Sequence, residues 1–123
     1  MRARIAAIAT AALTGAAVSA FADDAEKKEC GSSTYEIVEC QKAELAQLDK
    51  RLNVAYQRAL KEAQSDKQRD QLRKAQRLWI QFRDANCEYY ELYEGTIARI
   101  YGGVCMLDLT RTRAAELEHA VEQ

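Results

Sequence analysis

Residues 72–87, with the sequence LRKAQRLWIQFRDANC, carry the clearest structural pattern in the chain. Large or apolar side chains recur there at steps of three and four residues, which is typical of an amphipathic helix. The series continues to Gly95 and comprises Leu72, Ala75, Trp79, Phe82, Asn86, Tyr89 and Tyr93. Ser65 is a suitable N-cap upstream, and Gly95 is a suitable end. We predict a helix between them, with Trp79 and Phe82 in the core.

A second long helix precedes this one. Ser33 and Glu36 have the spacing of a capping box, in which side chains satisfy the free amides of a helix start. Apolar residues then recur at threes and fours as far as Ala63, which predicts about thirty helical residues, roughly 45 Å long. Only a couple of residues separate the two helices, so we expect them to form an antiparallel hairpin.

The segment after Gly95 contains a second pair of glycines, Gly102 and Gly103. We predict a short helical turn over residues 96–101 and a third helix over about 104–121. Three such helices can bury one shared seam, so the predicted fold is an all-α antiparallel three-helix bundle with this extra turn in the second connection. The absence of proline and the few glycines disfavour a sandwich or barrel.

The first 22 residues form a separate segment. Arg2 and Arg4 precede an apolar run over 5–18, and Ala20-Phe21-Ala22 supplies a small-x-small site. This pattern is typical of a secretory signal peptide, and the apolar run is too short for a stable membrane anchor. We predict a signal peptide (1–22), cleaved near Ala22, and one domain (23–123) that is periplasmic or secreted.

The charge balance limits the class of partner. Without residues 1–22 the chain has 16 basic and 19 acidic residues, whereas a nucleic-acid-binding domain is usually basic. The most basic stretch, 61–83, also contains acidic residues, which is typical of a solvated helix face. We therefore predict no nucleic-acid partner.

Four cysteines, Cys30, Cys40, Cys87 and Cys105, all follow the predicted signal peptide. An even number of cysteines in an exported chain indicates disulfides, and four allow three pairings. We favour the pairs nearest in sequence, Cys30–Cys40 and Cys87–Cys105. No metal-ligand spacing is present and His119 is the only histidine, so we predict no metal and no cofactor.

These positions together resemble the LprI-like lysozyme inhibitor family, a group of small exported bacterial domains. The resemblance covers nearly all of residues 23–123 and is most specific in the run A-Q-x-x-W-x-x-F-R-D-x-x-C at 75–87. It extends to the four cysteines, to Asn53 and Tyr56, and to Thr110 and Arg113. The resemblance implies a disulfide-bonded helical domain and, for the family's namesake, inhibition of lysozyme. The residue directly after Ala22 is Asp23 and not a cysteine, so the namesake's lipid anchor is not predicted here.

We assign a mainly structural role to the motif residues, which are Asn53, Tyr56, Trp79, Phe82, Arg83 and Asp84. Arg83 or Asp84 is expected to pair with a polar group of the first helix, such as Asp49 or Asn53. The alternative is that Trp79 and Arg83 are exposed as anchors of an interface, since both residue types are common hot spots.

The end of the second helix is unusual because it carries acidic residues, and the helix dipole disfavours negative charge at a C-terminus. We predict a partner-binding surface made of Glu88, Tyr89, Tyr90, Glu91, Tyr93 and Glu94. Host lysozymes are strongly cationic, and an acidic, tyrosine-rich surface suits such a partner. The alternative is that the glutamates are solvated or paired with Arg99, while Tyr89 or Tyr93 completes the core.

We predict that the chain is not an enzyme, because no serine or cysteine has a histidine base at a recognisable spacing. The predicted function is binding of a lysozyme-type cell-wall hydrolase and steric occlusion of its cleft, with residues 89–94 and the adjacent bend over 95–103 as the contact surface. The alternative function is a periplasmic interaction or stress module that recognises an envelope component and does not inhibit lysozyme. A bundle of this kind can serve either function.

Overall fold

The computed structural model describes residues 30–120, and in that part of the chain it contains three α-helices and no strand. They are α1 (Thr34–Glu62), α2 (Asp66–Glu91) and α3 (Ile97–His119). The predicted all-α, three-helix fold is confirmed. The predicted signal peptide lies outside the described residues.

Both predicted helix starts are present. The Ser33 hydroxyl accepts a hydrogen bond from the Glu36 amide (3.2 Å), and the Ser33 amide donates to the Glu36 carboxylate (3.0 Å), which completes the capping box. The Ser65 hydroxyl accepts from the amide of Gln68 (3.2 Å) at the start of α2. These caps satisfy amides that a helix leaves free in its first turn.

The third helix is the centre of the bundle. It packs against both α1 and α2, whereas α1 and α2 have few direct contacts with each other. Two ion pairs show that α1 and α3 run parallel, since Glu44 lies 2.7 Å from Arg111 and Arg51 lies 2.6 Å from Glu118. The chain reverses over residues 63–65, so α2 runs antiparallel to both.

The same two ion pairs favour one register of α1 against α3. Glu44 and Arg51 are two helical turns apart in α1, as are Arg111 and Glu118 in α3. The acidic residue comes first in α1, whereas the basic residue comes first in α3. A slip of seven residues would place Arg51 beside Arg111, or Glu44 beside Glu118. Like charges would then meet, so the slipped registers are disfavoured.

The core lies where α1 and α3 meet, with α2 packed along one side. Its buried centre is formed by Leu52, Ala55, Ala114 and Leu117. Trp79 of α2 is half-buried and packs against this centre, as do Tyr56, Ala59 and Leu72. The small side chains of Ala55 and Ala114 let the backbones of α1 and α3 approach closely, and large side chains of α2 pack beside them.

The prediction that Phe82 lies in the core is wrong, because 56% of Phe82 is exposed. The face of α2 that packs on α3 contains Gln76, Trp79, Arg83 and Cys87, at helical steps of three and four. Phe82 lies about 100° around the helix from Arg83 and therefore outside that face. The prediction followed apolar periodicity and so chose the neighbouring face, because two residues of the packed face, Gln76 and Arg83, are polar.

The predicted break between a short turn at 96–101 and a helix from 104 is also wrong, because α3 is continuous from Ile97. Gly102 is buried, and a Cβ there would lie 2.7 Å from a carboxylate oxygen of Glu91. A glycine inside a helix costs roughly 1 kcal/mol relative to alanine. Here the missing side chain lets α2 and α3 approach closely, and that packing keeps the helix intact.

Both favoured disulfides are present. Cys30–Cys40 joins the segment before α1 to the second turn of α1, and Cys87–Cys105 joins α2 to α3. Because α3 starts at Ile97, Cys105 lies in its third turn and not at its start as predicted. Cys87 is 2% exposed, so this second disulfide is part of the packed contact between the two helices.

Candidate functional site

The motif of α2 forms a polar seam with α3. Gln76 is only 7% exposed, and its side-chain oxygen accepts a hydrogen bond from Nε of Arg113 (3.1 Å). Further towards the end of α2, the side-chain amide of Asn86 donates a hydrogen bond to Sγ of Cys105 (3.4 Å). Buried polar groups must be satisfied, so these pairs specify which residues of α2 face α3.

Arg83 lies at the middle of this seam and connects all three helices. Its Nη1 is 3.4 Å from the hydroxyl of the fully buried Thr110 in α3 and 3.6 Å from a carboxylate oxygen of Asp49 in α1. Its guanidinium carbon lies 5.1 Å from the centre of the Trp79 ring, within the range of a cation–π contact. The predicted pairing of Arg83 with Asp49 is therefore present.

The remaining motif residues are simpler. Asp84 is exposed and accepts a hydrogen bond from Nε of Arg83 (3.0 Å). Tyr56 is half-buried against the core, whereas Asn53 is exposed. The side chain of Arg83 is only 14% exposed, so among the motif residues Arg83, Trp79 and Tyr56 contribute to the bundle interior, whereas the other three lie on its surface.

The predicted binding segment brings four tyrosines together. Tyr89, Tyr90 and Tyr93 come from the end of α2 and the residues after it, and Tyr101 comes from α3. Tyr93 is central, with ring centroids 5.9 Å from Tyr89, 6.4 Å from Tyr90 and 6.1 Å from Tyr101. We call these four residues the tyrosine cluster. Edge-to-face and stacked rings at such distances stabilise one another.

The tyrosine cluster is accessible to a partner. Tyr89 is 60% exposed, Tyr90 37% and Tyr93 50%, so the alternative that Tyr89 or Tyr93 completes the core is wrong. Rings that are fixed by their neighbours but open on one face lose little entropy when they bind a partner.

Three members of the tyrosine cluster also line an open groove of about 600 Å³ between α2 and α3. Six of the residues that line it are Asn86, Tyr90, Tyr93, Tyr101, Val104 and Leu109. The disulfide Cys87–Cys105 joins the two helices at this groove, since Cys105 also lines it. The groove is therefore supported by a covalent link between its two walls.

Tyr101 lies in the bend over 95–103 that was predicted to complete the contact surface, whereas no role was predicted for Val104. The sequence also indicates the position of Tyr101, because Tyr101 precedes Cys105 by one helical turn and Tyr90 follows Cys87 by three residues. The disulfide between those cysteines brings the two tyrosines to the same groove. Combining the pairing with helical spacing would have placed Tyr101 beside the predicted segment.

The three glutamates of the segment are all exposed. Glu88 and Glu91 lie on α2, and Glu94 lies in the connection before α3. Glu91 contacts Gly102 and lines a second depression, together with Arg99 and residues of α1. Within residues 30–120 none of the three forms an ion pair.

The chemistry of the tyrosine cluster is that of neutral phenols. A hydrogen bond with Tyr89, together with the neighbouring phenols, raises the pKa of Tyr93 above its ordinary value. Tyr93 therefore stays protonated at neutral pH, where its hydroxyl can still donate or accept a hydrogen bond. Such groups suit recognition of a protein surface through contact and hydrogen bonding.

Within residues 30–120 no group of three or more His, Cys, Asp or Glu side chains could hold a metal ion. No helix in the same range is long and apolar enough to cross a bilayer.

The fold and the site define a small, disulfide-stapled helical domain with an aromatic groove at one end of its α2–α3 pair. The chain belongs to the family described as Lysozyme inhibitor LprI, whose sequence profile matches residues 25–117. The predicted family membership is thereby confirmed.

One relative of this chain is an uncharacterized protein of Rhizobium meliloti (strain 1021). It is 42% identical over 53 residues, which cover 42% of this chain and 38% of that protein. The match thus spans about two fifths of the relative's length. No solved structure matches this chain at a significant level.

Proposed function

We propose that this chain inhibits a lysozyme-type cell-wall hydrolase by occluding its substrate cleft. The tyrosine cluster, the adjoining glutamates and the groove beside them are the proposed contact surface. The proposal includes export: the chain is periplasmic or secreted after cleavage near Ala22. Its disulfides accord with an oxidising compartment.

The observation that carries the proposal is the exposed tyrosine cluster, in a chain whose family is described by lysozyme inhibition. Tyrosine supplies large contact area at a small cost in conformational entropy. The Cys87–Cys105 disulfide joins the helices that carry the cluster, which reduces the entropy lost on binding.

Charge supports the same partner. Glu88, Glu91 and Glu94 have no ion pair within the described residues, so their field extends into solvent. A cationic enzyme is attracted to such a surface, mainly through a faster association rate. Occlusion needs no covalent step, and the proposed role is therefore that of a binding protein.

The test is lysis of a bacterial cell-wall suspension by lysozyme in the presence of the purified chain. Slower lysis at a molar excess of the chain supports the proposal. Unchanged lysis over a wide range of excess would refute it and favour the periplasmic interaction module.

The contact surface is tested with Tyr93→Ser and Glu94→Lys. Loss of a central aromatic anchor typically costs about 2 kcal/mol, so Tyr93→Ser should weaken inhibition roughly thirtyfold. Tyr35→Ser and Glu62→Lys are matched controls, because both residues are exposed and lie outside the tyrosine cluster and its groove. Equal effects of control and test variants would place the contact surface elsewhere.

A further inference from the structure

The outer face of α2 carries an apolar stripe formed by Ala75, Leu78, Phe82, Ala85 and Tyr89. Leu78 and Phe82 are each 56% exposed and Tyr89 is 60% exposed. Ala85 is exposed and Ala75 is half-buried at the edge of the face that packs on α3. We call this row the outer stripe.

The spacing of the outer stripe is that of a coiled-coil seam. Its steps are three, four, three and four residues, so it remains on one side of the helix over about 21 Å. An exposed row of large apolar side chains with this period marks a surface for another helix. The interior of the bundle does not use it, because α3 packs on Gln76, Trp79 and Cys87.

Charges along the edge of the outer stripe identify the partner. Lys74 and Glu88 lie on the same edge, two heptads apart, with the uncharged Gln81 midway between them. Both charged residues are exposed, and neither forms an ion pair within the described part of its own chain. The surface is thus basic towards the start of α2 and acidic towards its end.

Such a surface is complementary to itself when two copies are antiparallel. We propose that α2 pairs with α2 of a second copy of this chain, with Phe82 packed on Leu78 of the second copy. In that register Lys74 faces Glu88 of the second copy, and the two-fold axis passes beside Gln81. Both ion pairs then form by symmetry.

The competing arrangements are electrostatically worse. In a parallel pair, the basic start of one α2 would lie beside the basic start of the other, and the two acidic ends would also adjoin. An antiparallel pair can also shift by one heptad in either direction. One shift sets Glu88 against Gln81 and leaves Lys74 without an acidic partner, and the other sets Phe82 against Gln71 in place of Leu78. Like-charge contact disfavours the parallel pair, loss of the ion pairs disfavours the first shift, and loss of the apolar contact of Phe82 disfavours the second.

The test is the mass of the chain in solution, measured by sedimentation equilibrium over a range of concentrations. The unmodified chain should approach twice the mass of one chain as concentration rises. Lys74→Glu and Glu88→Lys should each raise the dissociation constant at least about tenfold, because symmetry creates two like-charge contacts. Lys50→Glu makes the same charge change on α1 and should leave the dissociation constant unchanged.

Mixing the two single variants provides the sharpest measurement. One chain then carries acidic residues at 74 and 88 and the other carries basic residues there, so the mixture should form a heterodimer. The double variant Lys74→Glu with Glu88→Lys should regain self-association. Phe82→Ser should abolish it with the helical circular dichroism spectrum intact, since Phe82 is outside the core.

A chain that remains monomeric at its highest soluble concentration would overturn the proposal. Self-association that is indifferent to Phe82→Ser, or a mixture of variants that stays monomeric, would overturn this interface. The measurement contains no hydrolase, so its outcome is independent of the proposed inhibition. Glu88 and Tyr89 belong to both proposed surfaces and would face the second copy in the dimer. Tyr93 and Glu94 lie outside the outer stripe, so inhibition is tested with variants of these two residues.

Discussion

Removing the two disulfides one at a time should destabilise the chain unequally. In the chain-entropy description, a cross-link that closes n residues lowers the unfolded-state entropy by about 2.1 + 1.5R ln n cal/mol/K. The sequence separations are 10 for Cys30–Cys40 and 18 for Cys87–Cys105. The corresponding stabilisation is about 2.7 and about 3.2 kcal/mol at 25 °C. Loop length alone therefore predicts nearly equal losses.

The structure separates the two cases. Cys87 is 2% exposed and packed between α2 and α3, so replacing the pair by alanine also leaves a small cavity that costs about 1 kcal/mol more. The expected total for Cys87→Ala with Cys105→Ala is about 4 kcal/mol.

The first disulfide holds only a short segment before α1. Without it that segment can detach, and the conformational entropy that it regains offsets part of the cost. The expected loss for Cys30→Ala with Cys40→Ala is therefore about 1–2 kcal/mol.

Thermal unfolding followed by far-UV circular dichroism measures the difference. A gap of about 2 kcal/mol corresponds to roughly 10 °C in the midpoint for a domain of this size. Thiol titration of each variant verifies that its other disulfide is intact. Equal midpoints, or a lower midpoint for the Cys30–Cys40 variant, would refute the assignment of the second disulfide to the packed interior.

Two further predictions concern the core and the response to acid. Trp79→Ala should lower the free energy of unfolding by about 2–3 kcal/mol, because the indole packs on the core. Phe82→Ala should lower it by less than about 1 kcal/mol, because Phe82 is mostly exposed. Urea unfolding of the monomer measures both values, and similar losses would contradict the assigned faces of α2. Arg51 lowers the pKa of Glu118, so this ion pair stabilises the fold above the ordinary carboxyl pKa and the effect disappears as pH falls through the lowered value. Glu118→Gln should therefore be less stable than the unmodified chain by up to about 1 kcal/mol at pH 7 and equally stable in strong acid, and a difference that persists in acid would exclude the ion pair as its cause.

Local features were predictable because they depend on neighbouring residues. Ser33 with Glu36, and Ser65 with Gln68, fix the helix starts through contacts three positions apart. The two nearest-neighbour disulfides also followed from the sequence, since each links positions 10 or 18 residues apart. The tyrosines of the candidate site were visible as a cluster in the sequence.

Features that depend on a partner helix were not predictable in this way. Phe82 was assigned to the core because it is apolar and in phase, yet α3 offers Thr110 and Arg113 to α2 and so selects Arg83 and Gln76 in its place. The contact between the rings of Tyr101 and Tyr93 depends on the packing of α3 against α2, so no local pattern predicted it.

The sequence by itself determined the three helices, the caps at the start of the first two, the favoured disulfides and the family. Only the tertiary structure decided that α3 is the central helix, that it continues through Gly102, and that the end of α2 meets it at an aromatic groove. The physical reason is that hydrogen bonds and caps within a helix act over a few residues. Burial, by contrast, is decided by whichever helix comes to lie opposite.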